Sequence, residues 1–445
     1  MKDMTQGSIF KNIIGFSIPL LISSIFQQLY SVIDTIIVSR SLGSDALAGI
    51  GATGQLTFLV LCIALGMSNG GGLIISHCFG SGNFKKLKST IVSMTYCMFG
   101  LGLFMSVIGF ALSERSLQLL NVPSKVLPYA VNYIKIIFAF STSTVLFNFA
   151  SSILRSVGDS KTPLYALIVA SIENVILDLV FIIVFKLGVS GAAYATVISQ
   201  YTSGFICLYV IYKKRQFLGF TSIEKHLPDP DSCILIVKTS IPSILQSCMI
   251  TIGGISVQRL INSFGADVMA GYVAASKVDA MAIQVILSVG NALCVFTGQN
   301  IGKSDYARIK EALVKSRLIM LASASVIAVN AYIFRFRIIG LFIDQSANMS
   351  AAQAGAEYLS IVCIAYLICA IMQSYQNVIR GAGDVNTCMV AGITELAGKI
   401  IFAYMASPIL GATAIWISTP FSWACGCLVP MLRYYSGKWK GKKLS

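Results

Sequence analysis

Eight ionisable residues fall inside long apolar runs of this chain: Asp34, Lys135, Glu173, Asp178, Lys277, Asp279, Glu395 and Lys399. An Asp or Lys at the centre of a membrane helix costs roughly 2.5–3.5 kcal/mol on insertion scales, so such groups face a protein interior or a watery cavity, and a functional role is their default reading. The acids are unevenly balanced. In the C-terminal half Asp279 and Glu395 are matched by Lys277 and Lys399, and Glu395 and Lys399 stand four residues apart on one helical face. Those four read as a second-lobe charge network. In the N-terminal half three acids face only Lys135, which lies near a helix end and can snorkel to the headgroups. Surplus carboxylate in a low-dielectric site suits a proton or a metal cation.

Spacing ties two of these acids to polar neighbours. Tyr30 precedes Asp34 by four residues and Asn174 precedes Asp178 by four, so each carboxyl has a polar group on its own helical face. Asp178 lies 15 residues beyond Pro163, a rise of roughly 22 Å at 1.5 Å per residue. Asp34 lies late in the first apolar run, which places both carboxyls at similar depth in the outer half of the membrane. Together the groups could share a proton, coordinate Na+ or hold water.

The elements that carry these residues follow from composition. The chain has 445 residues, of which 56% are hydrophobic and 11% charged, with a mean hydropathy of +0.78. A soluble protein of this length could not hide so much apolar surface, so the solvent must be lipid. A spanning helix needs roughly 20 apolar residues, and about twelve such runs are present. They are expected at 13–38, 47–78, 90–112, 129–152, 163–186 and 189–212, then at 233–262, 268–299, 312–334, 354–379, 387–409 and 411–432. The fold class is an all-α integral membrane protein of about 12 transmembrane helices.

The two halves repeat each other. Ser17-Ile18-Pro19, Leu42-Gly43-Ser44-Asp45 and Ala48-Gly49 return as Ser240-Ile241-Pro242, Phe264-Gly265-Ala266-Asp267 and Ala270-Gly271. Arg155-Ser156-Val157-Gly158-Asp159 returns as Arg380-Gly381-Ala382-Gly383-Asp384. Paired repeats are how transporters build two lobes around a site. We expect a six-helix lobe over 1–212, a cytoplasmic linker over 213–232 containing Pro228 and Pro230, and a pseudo-symmetric six-helix lobe over 233–445 with a basic tail. In the repeated turns Gly158 and Gly383 suit a tight helix-to-helix connection. Thr162 before Pro163 reads as a cap-then-start pair, with Thr387 at the equivalent place. Pro19 and Pro242, each early in the first helix of its half, permit a bend.

Charge sets the expected orientation. Lys and Arg gather in both terminal tails and the even-numbered connections. The opposite connections hold only Arg40, Arg115, Lys125, Lys186, Arg259, Arg335 and Arg337 of the 33. This asymmetry predicts both termini in the cytoplasm. Because the basic residues follow topology, the net charge of +15 does not signal nucleic-acid binding. The 12 cysteines lie mostly inside apolar helices and read as small hydrophobes rather than metal ligands or disulfides. There is no nucleotide-binding loop, metal cluster or Ser/His/Asp constellation, which argues against an enzyme and against direct use of ATP. No filter loop argues for a channel.

Several stretches resemble the multidrug and toxic compound extrusion (MATE) transporters, closest to the bacterial branch of DinF-like and MepA-like proteins. They are Gln27–Thr35, Leu42–Ala48, Leu154-Arg155 to Pro163, Gly191-Ala192-Ala193 through Gln200, Ala275–Asp279 and Thr297–Gly302. The resemblance spans nearly the whole chain. It implies a two-lobed antiporter of the bacterial plasma membrane that exchanges protons or Na+ for small organic cations by alternating access, as a monomer and without a cofactor. Carried onto this chain, it implies a cation site of Asp34 and Asp178 with Asn174 and Thr196 as neutral ligands and Tyr30 and Asn148 close by. Two departures stand out. The seventh helix has Gln246 where some relatives carry an acid, and Ser76-His77 replaces a glutamine at the end of the second, where His77 is expected near the membrane interface. A lipid-linked oligosaccharide flippase of the wider superfamily is the alternative. It would be expected to have a cationic cavity or extra helices.

Overall fold

In the computed structural model, residues 2–120, 122–220, 227–344, 348–442 and 444 are described. Among them there is no strand. Fourteen α-helices follow one another, because long apolar segments in lipid must satisfy every backbone N–H and C=O within the segment. In the first half they are α1 (Ile9–Leu42), α2 (Ser44–Ser81), α3 (Phe84–Leu119), α4 (Leu127–Ala139), α5 (Ser141–Ser156), α6 (Lys161–Asp178) and α7 (Val189–Lys213). The second half adds α8 (Pro230–Asn262), α9 (Ala266–Gly302), α10 (Tyr306–Ile333), the short α11 (Arg335–Gly340), α12 (Met349–Gly381), α13 (Val385–Leu410) and α14 (Thr413–Tyr435).

Among the described residues eleven helical segments are long and apolar enough to cross a membrane, and α4 with α5, bent by 48°, makes a twelfth when taken as one span. The run expected at 129–152 is therefore broken at Phe140. Hydroxyls compete with the helical ladder there: Ser143 donates to the Phe140 carbonyl at 2.8 Å and Ser141 to the Gly102 carbonyl at 3.2 Å. Outward-facing apolar side chains such as Phe99, Phe104, Val107 and Ile364 are each more than 60% exposed, as a lipid-facing belt requires.

The chain folds as two compact units whose boundaries differ from those expected at 213–232. One unit is principally Pro19–Ile244, and the other joins Met4–Ile18 to Leu245–Leu444. The start of α1 thus belongs with the second half and the start of α8 with the first. Both exchanges fall beside the repeated prolines, Pro19 and Pro242, which lie inside their helices. Hydropathy places spans along the chain but does not say which bundle a half-helix joins. Part of the expected linker, 221–226, lies outside the described residues.

Within the first unit, α8 reaches α2 through two glycines one turn apart. A Cβ at Gly70 would lie 2.7 Å from the Ser240 backbone nitrogen, and one at Gly66 would lie 2.9 Å from that of Ile244. Ser240 and Ile244 are themselves four apart, so this is a small-residue seam of the kind that lets membrane helices approach closely. The same Gly-rich stretch explains His77. It is fully buried in the last turns of α2, along with Gly70–Cys78.

The repeated Gly-Asp turns are clamped alike. Gly158 and Gly383 have φ of +81° and +91°, which only glycine adopts freely. Ser160 holds the N-cap position of α6 without a side-chain cap bond, and the acceptor for its first turn is Asp159, just before it, rather than Thr162. Asp159 Oδ1 accepts from the Thr162 N–H at 3.1 Å, while the Thr162 hydroxyl donates to Oδ2 at 3.0 Å. Asp was the stronger acceptor available, being charged. Lys214, just past α7, reaches Asp159 at 3.2 Å. In the second unit Asp384 accepts from Arg433 at 2.6 Å and Lys442 at 2.7 Å. Burial acts to raise both carboxyl pKa values, but hydrogen bonds and basic partners outweigh it, leaving Asp159 and Asp384 below the usual carboxylate range.

Candidate cation site

The first unit gathers its polar residues around one pair of carboxyls. Asp34 comes from α1, two turns before that helix ends, and Asp178 closes α6, where the backbone passes into a π-helical turn over Leu179–Val184. Such π segments recur at functional positions because they shift the phase of the side chains that follow. The two carboxyls lie against each other. Asp178 and Asn174 are fully buried. Oδ1 of each aspartate is buried without a hydrogen-bond partner.

Neutral groups complete the surround. With its amide oriented to satisfy both sides, Asn174 donates to Asp178 Oδ2 at 2.9 Å and accepts from the Thr196 N–H at 3.2 Å. The hydroxyls of Tyr30 and Tyr133 both stand beside Thr196, and both rings sit within the electrostatic reach of the aspartates. Asn148 donates to the Thr144 carbonyl at 2.8 Å. It lines a cavity of about 180 Å³ that also includes Tyr30, Asn174 and Thr196. Of the six residues expected here, five therefore cluster around the carboxyls or their immediate neighbours, and Asn148 is met through the cavity. Tyr133 was missed, since a tyrosine in an apolar run carries no sequence signal that separates it from packing.

Two of the first-half charges go elsewhere. Lys135 lies 3.7 Å from Glu114 Oε2, an acid just beyond the expected third span, so it does not offset the aspartates. Glu173 faces α7, accepting from Thr202 Oγ1 at 3.1 Å. The aspartate pair is left without a basic partner among the described residues. Two carboxylates in contact cannot both stay charged without a cation between them. A proton or a small metal ion meets that need, and the open Oδ1 atoms with the Asn174, Thr196 and tyrosine oxygens are hard ligands of the sort such a cation takes.

The second unit holds a different arrangement. Tyr358 donates to Asp279 Oδ2 at 3.2 Å, and the Tyr358 ring meets Trp416 edge-on at 5.2 Å. Lys399 lies within electrostatic reach of both Glu395 and Asp279. Lys277 does not join them. Its ammonium sits 5.8 Å over the Phe342 ring, because adjacent-but-one residues of a helix point to different faces. The expected balance of two acids by two lysines is thus reduced to one lysine. Gln246 accepts from Arg380 at 2.8 Å.

A family model described as MatE matches residues 19–180 and 242–405, once in each half and starting at each repeated proline. The chain belongs to the MatE family. It is 30% identical over 99% of its length to "Probable multidrug resistance protein YpnP" of Bacillus subtilis, covering 98% of that protein. It is 27% identical over its whole length to "Probable multidrug resistance protein YoeA" of the same organism, covering 97% of it. Among solved structures, that of MATE in the bent conformation has a TM-score of 0.92 at 21% identity, covering all of both chains. MatE membership and this fold make the chain a multi-pass membrane transporter, and the matched segments contain Asp34 and Asp178 in the first half.

Proposed function

We propose that this protein is a secondary active multidrug exporter. It would expel small organic compounds, chiefly cations, in exchange for H+ or Na+ taken up at the Asp34–Asp178 pair by alternating access. The observation that carries this reading is the meeting of two carboxyls with no basic partner among the described residues, each with an open buried oxygen. A cation arriving there removes the repulsion between α1 and α6, and its departure restores it. A ligand shifts a conformational equilibrium only through its differential affinity for the two states, and this pair supplies such a difference for a cation. The relatives named as multidrug resistance proteins support drug efflux as the task. The distribution of Lys and Arg supports cytoplasmic termini in a bacterial plasma membrane, which would put the acid pair toward the outer side.

The test is efflux of a fluorescent cation such as ethidium from proteoliposomes under separately imposed proton and sodium gradients. Wild type should respond to one gradient or both. Asp34→Asn and Asp178→Asn should fold and lose the response. Gradient-driven efflux that survives in either variant would remove the pair from the mechanism. A protein that moved lipid-linked sugars and no dye would favour the flippase.

A further inference from the structure

The cavity beside the acid pair carries a second charged group. Arg155, in the last turn of α5, lines the same volume of about 180 Å³ as Tyr30, Asn148, Asn174, Thr196 and Gln200. Its Nε is buried without a hydrogen-bond partner, and among the described residues its guanidinium makes no ion pair. The nearest acid along the chain, Asp159, is already engaged by Thr162 and Lys214.

The repeat sharpens the contrast. Arg380, the counterpart of Arg155, is answered by Gln246 at 2.8 Å. Aligning Pro19 with Pro242 puts Ser23 opposite Gln246, and Ser23 donates to the Pro19 carbonyl at 2.8 Å instead. The same arginine is therefore satisfied by protein in one unit and turned toward a cavity in the other. An unpartnered guanidinium in a partly buried site is costly, and its planar fork of donors matches a carboxylate bidentately.

The cavity also has a direction. Asn148 and Arg155 are seven residues apart on α5, as are Leu167 and Asn174 on α6, all four lining it. Seven residues of helix rise about 10 Å. Asn174 bonds the acid pair at one end, and Arg155 stands at the other. We propose that this cavity binds compounds bearing a carboxylate, clamped by Arg155, with a cationic group directed toward Asp34 and Asp178: zwitterions about 10 Å long. This rests on the reading of the protein as an exporter only for the fate of the bound compound, not for the binding itself.

A matched pair of probes tests it: 4-guanidinobenzoate and its methyl ester, which differ only in the carboxylate. Binding would be measured by calorimetry on the full chain in lipid nanodiscs. Wild type should prefer the acid to the ester, and Arg155→Gln should lose at least tenfold more affinity for the acid than for the ester. Arg155→Lys, which keeps charge but not the fork, should fall between them. Equal affinity of wild type for both probes, a measurement that needs no variant to fold, would overturn the proposal. So would parallel losses for both probes in Arg155→Gln. Ion-driven efflux of the ester, followed in parallel, tests the exporter reading alone. Acid-selective binding without coupled efflux would sink that reading and leave this one standing.

Discussion

Asp384→Asn offers a quantitative test of how the repeated turns are held. The Asp384 carboxylate is only 1% exposed and meets Arg433 at 2.6 Å and Lys442 at 2.7 Å, groups that are 26% and 40% exposed. Breaking a buried ion pair costs about 3–5 kcal/mol, whereas an exposed pair contributes about 0.2–1 kcal/mol. A buried acid with partly wet partners belongs between them, so a loss of about 2–3 kcal/mol is expected. The sign of the pH dependence follows from the lowered carboxyl pKa of Asp384, which burial opposes and its lysine and arginine partners enforce. A depressed folded-state value gives stabilisation that is present above the ordinary carboxyl pKa of about 3.9. It is lost as pH falls through the folded value. Thermal unfolding in detergent between pH 7 and pH 3 should therefore show wild type and Asp384→Asn well apart near neutrality and converging toward pH 3. A gap that persists unchanged at pH 3 would refute the clamp.

Three further outcomes are expected. Gly70→Leu should destabilise the first unit by about 1–3 kcal/mol or more through overpacking against Ser240, seen as a lowered unfolding temperature, while Gly51→Leu, where a Cβ meets nothing within 4 Å, should not. Lys135→Met should leave ion-coupled efflux at wild-type levels, since Lys135 pairs with Glu114; a loss of coupling would mean the lysine serves the aspartates after all. Tyr133→Phe should weaken cation affinity several-fold in a transport titration with folding intact, because its hydroxyl stands beside Thr196. An unchanged titration would return Tyr133 to a packing role.

Much of this architecture was legible because lipid imposes simple rules. Apolar length gave the spans, and the repeated prolines and Gly-Asp turns marked two halves. Asp34 and Asp178 could be paired because the cost of intramembrane charge makes carboxyls conspicuous and helical rise fixes their depth. What stayed hidden depended on long-range packing. The exchange of half-helices at Pro19 and Ile244 has no hydropathy signature. Glu114 sits just outside an apolar run, so its capture of Lys135 could not be read. The 48° break at Phe140 arises from hydroxyl bonds that a Ser/Thr-rich stretch makes only in context. Tyr133 and the open Arg155 likewise acquire meaning from the neighbours that α4, α5 and α7 bring to them.

The central claim is that a cation moves inward through the Asp34–Asp178 pair as an organic compound moves outward. The most direct measurement loads proteoliposomes with substrate, imposes no ion gradient, and follows intravesicular pH and Na+ as the substrate leaves. Substrate-driven counterflow of one cation in wild type, abolished in Asp178→Asn at equal protein incorporation, is the predicted result. Substrate release with neither cation moving, or the same counterflow in the variant, would contradict it.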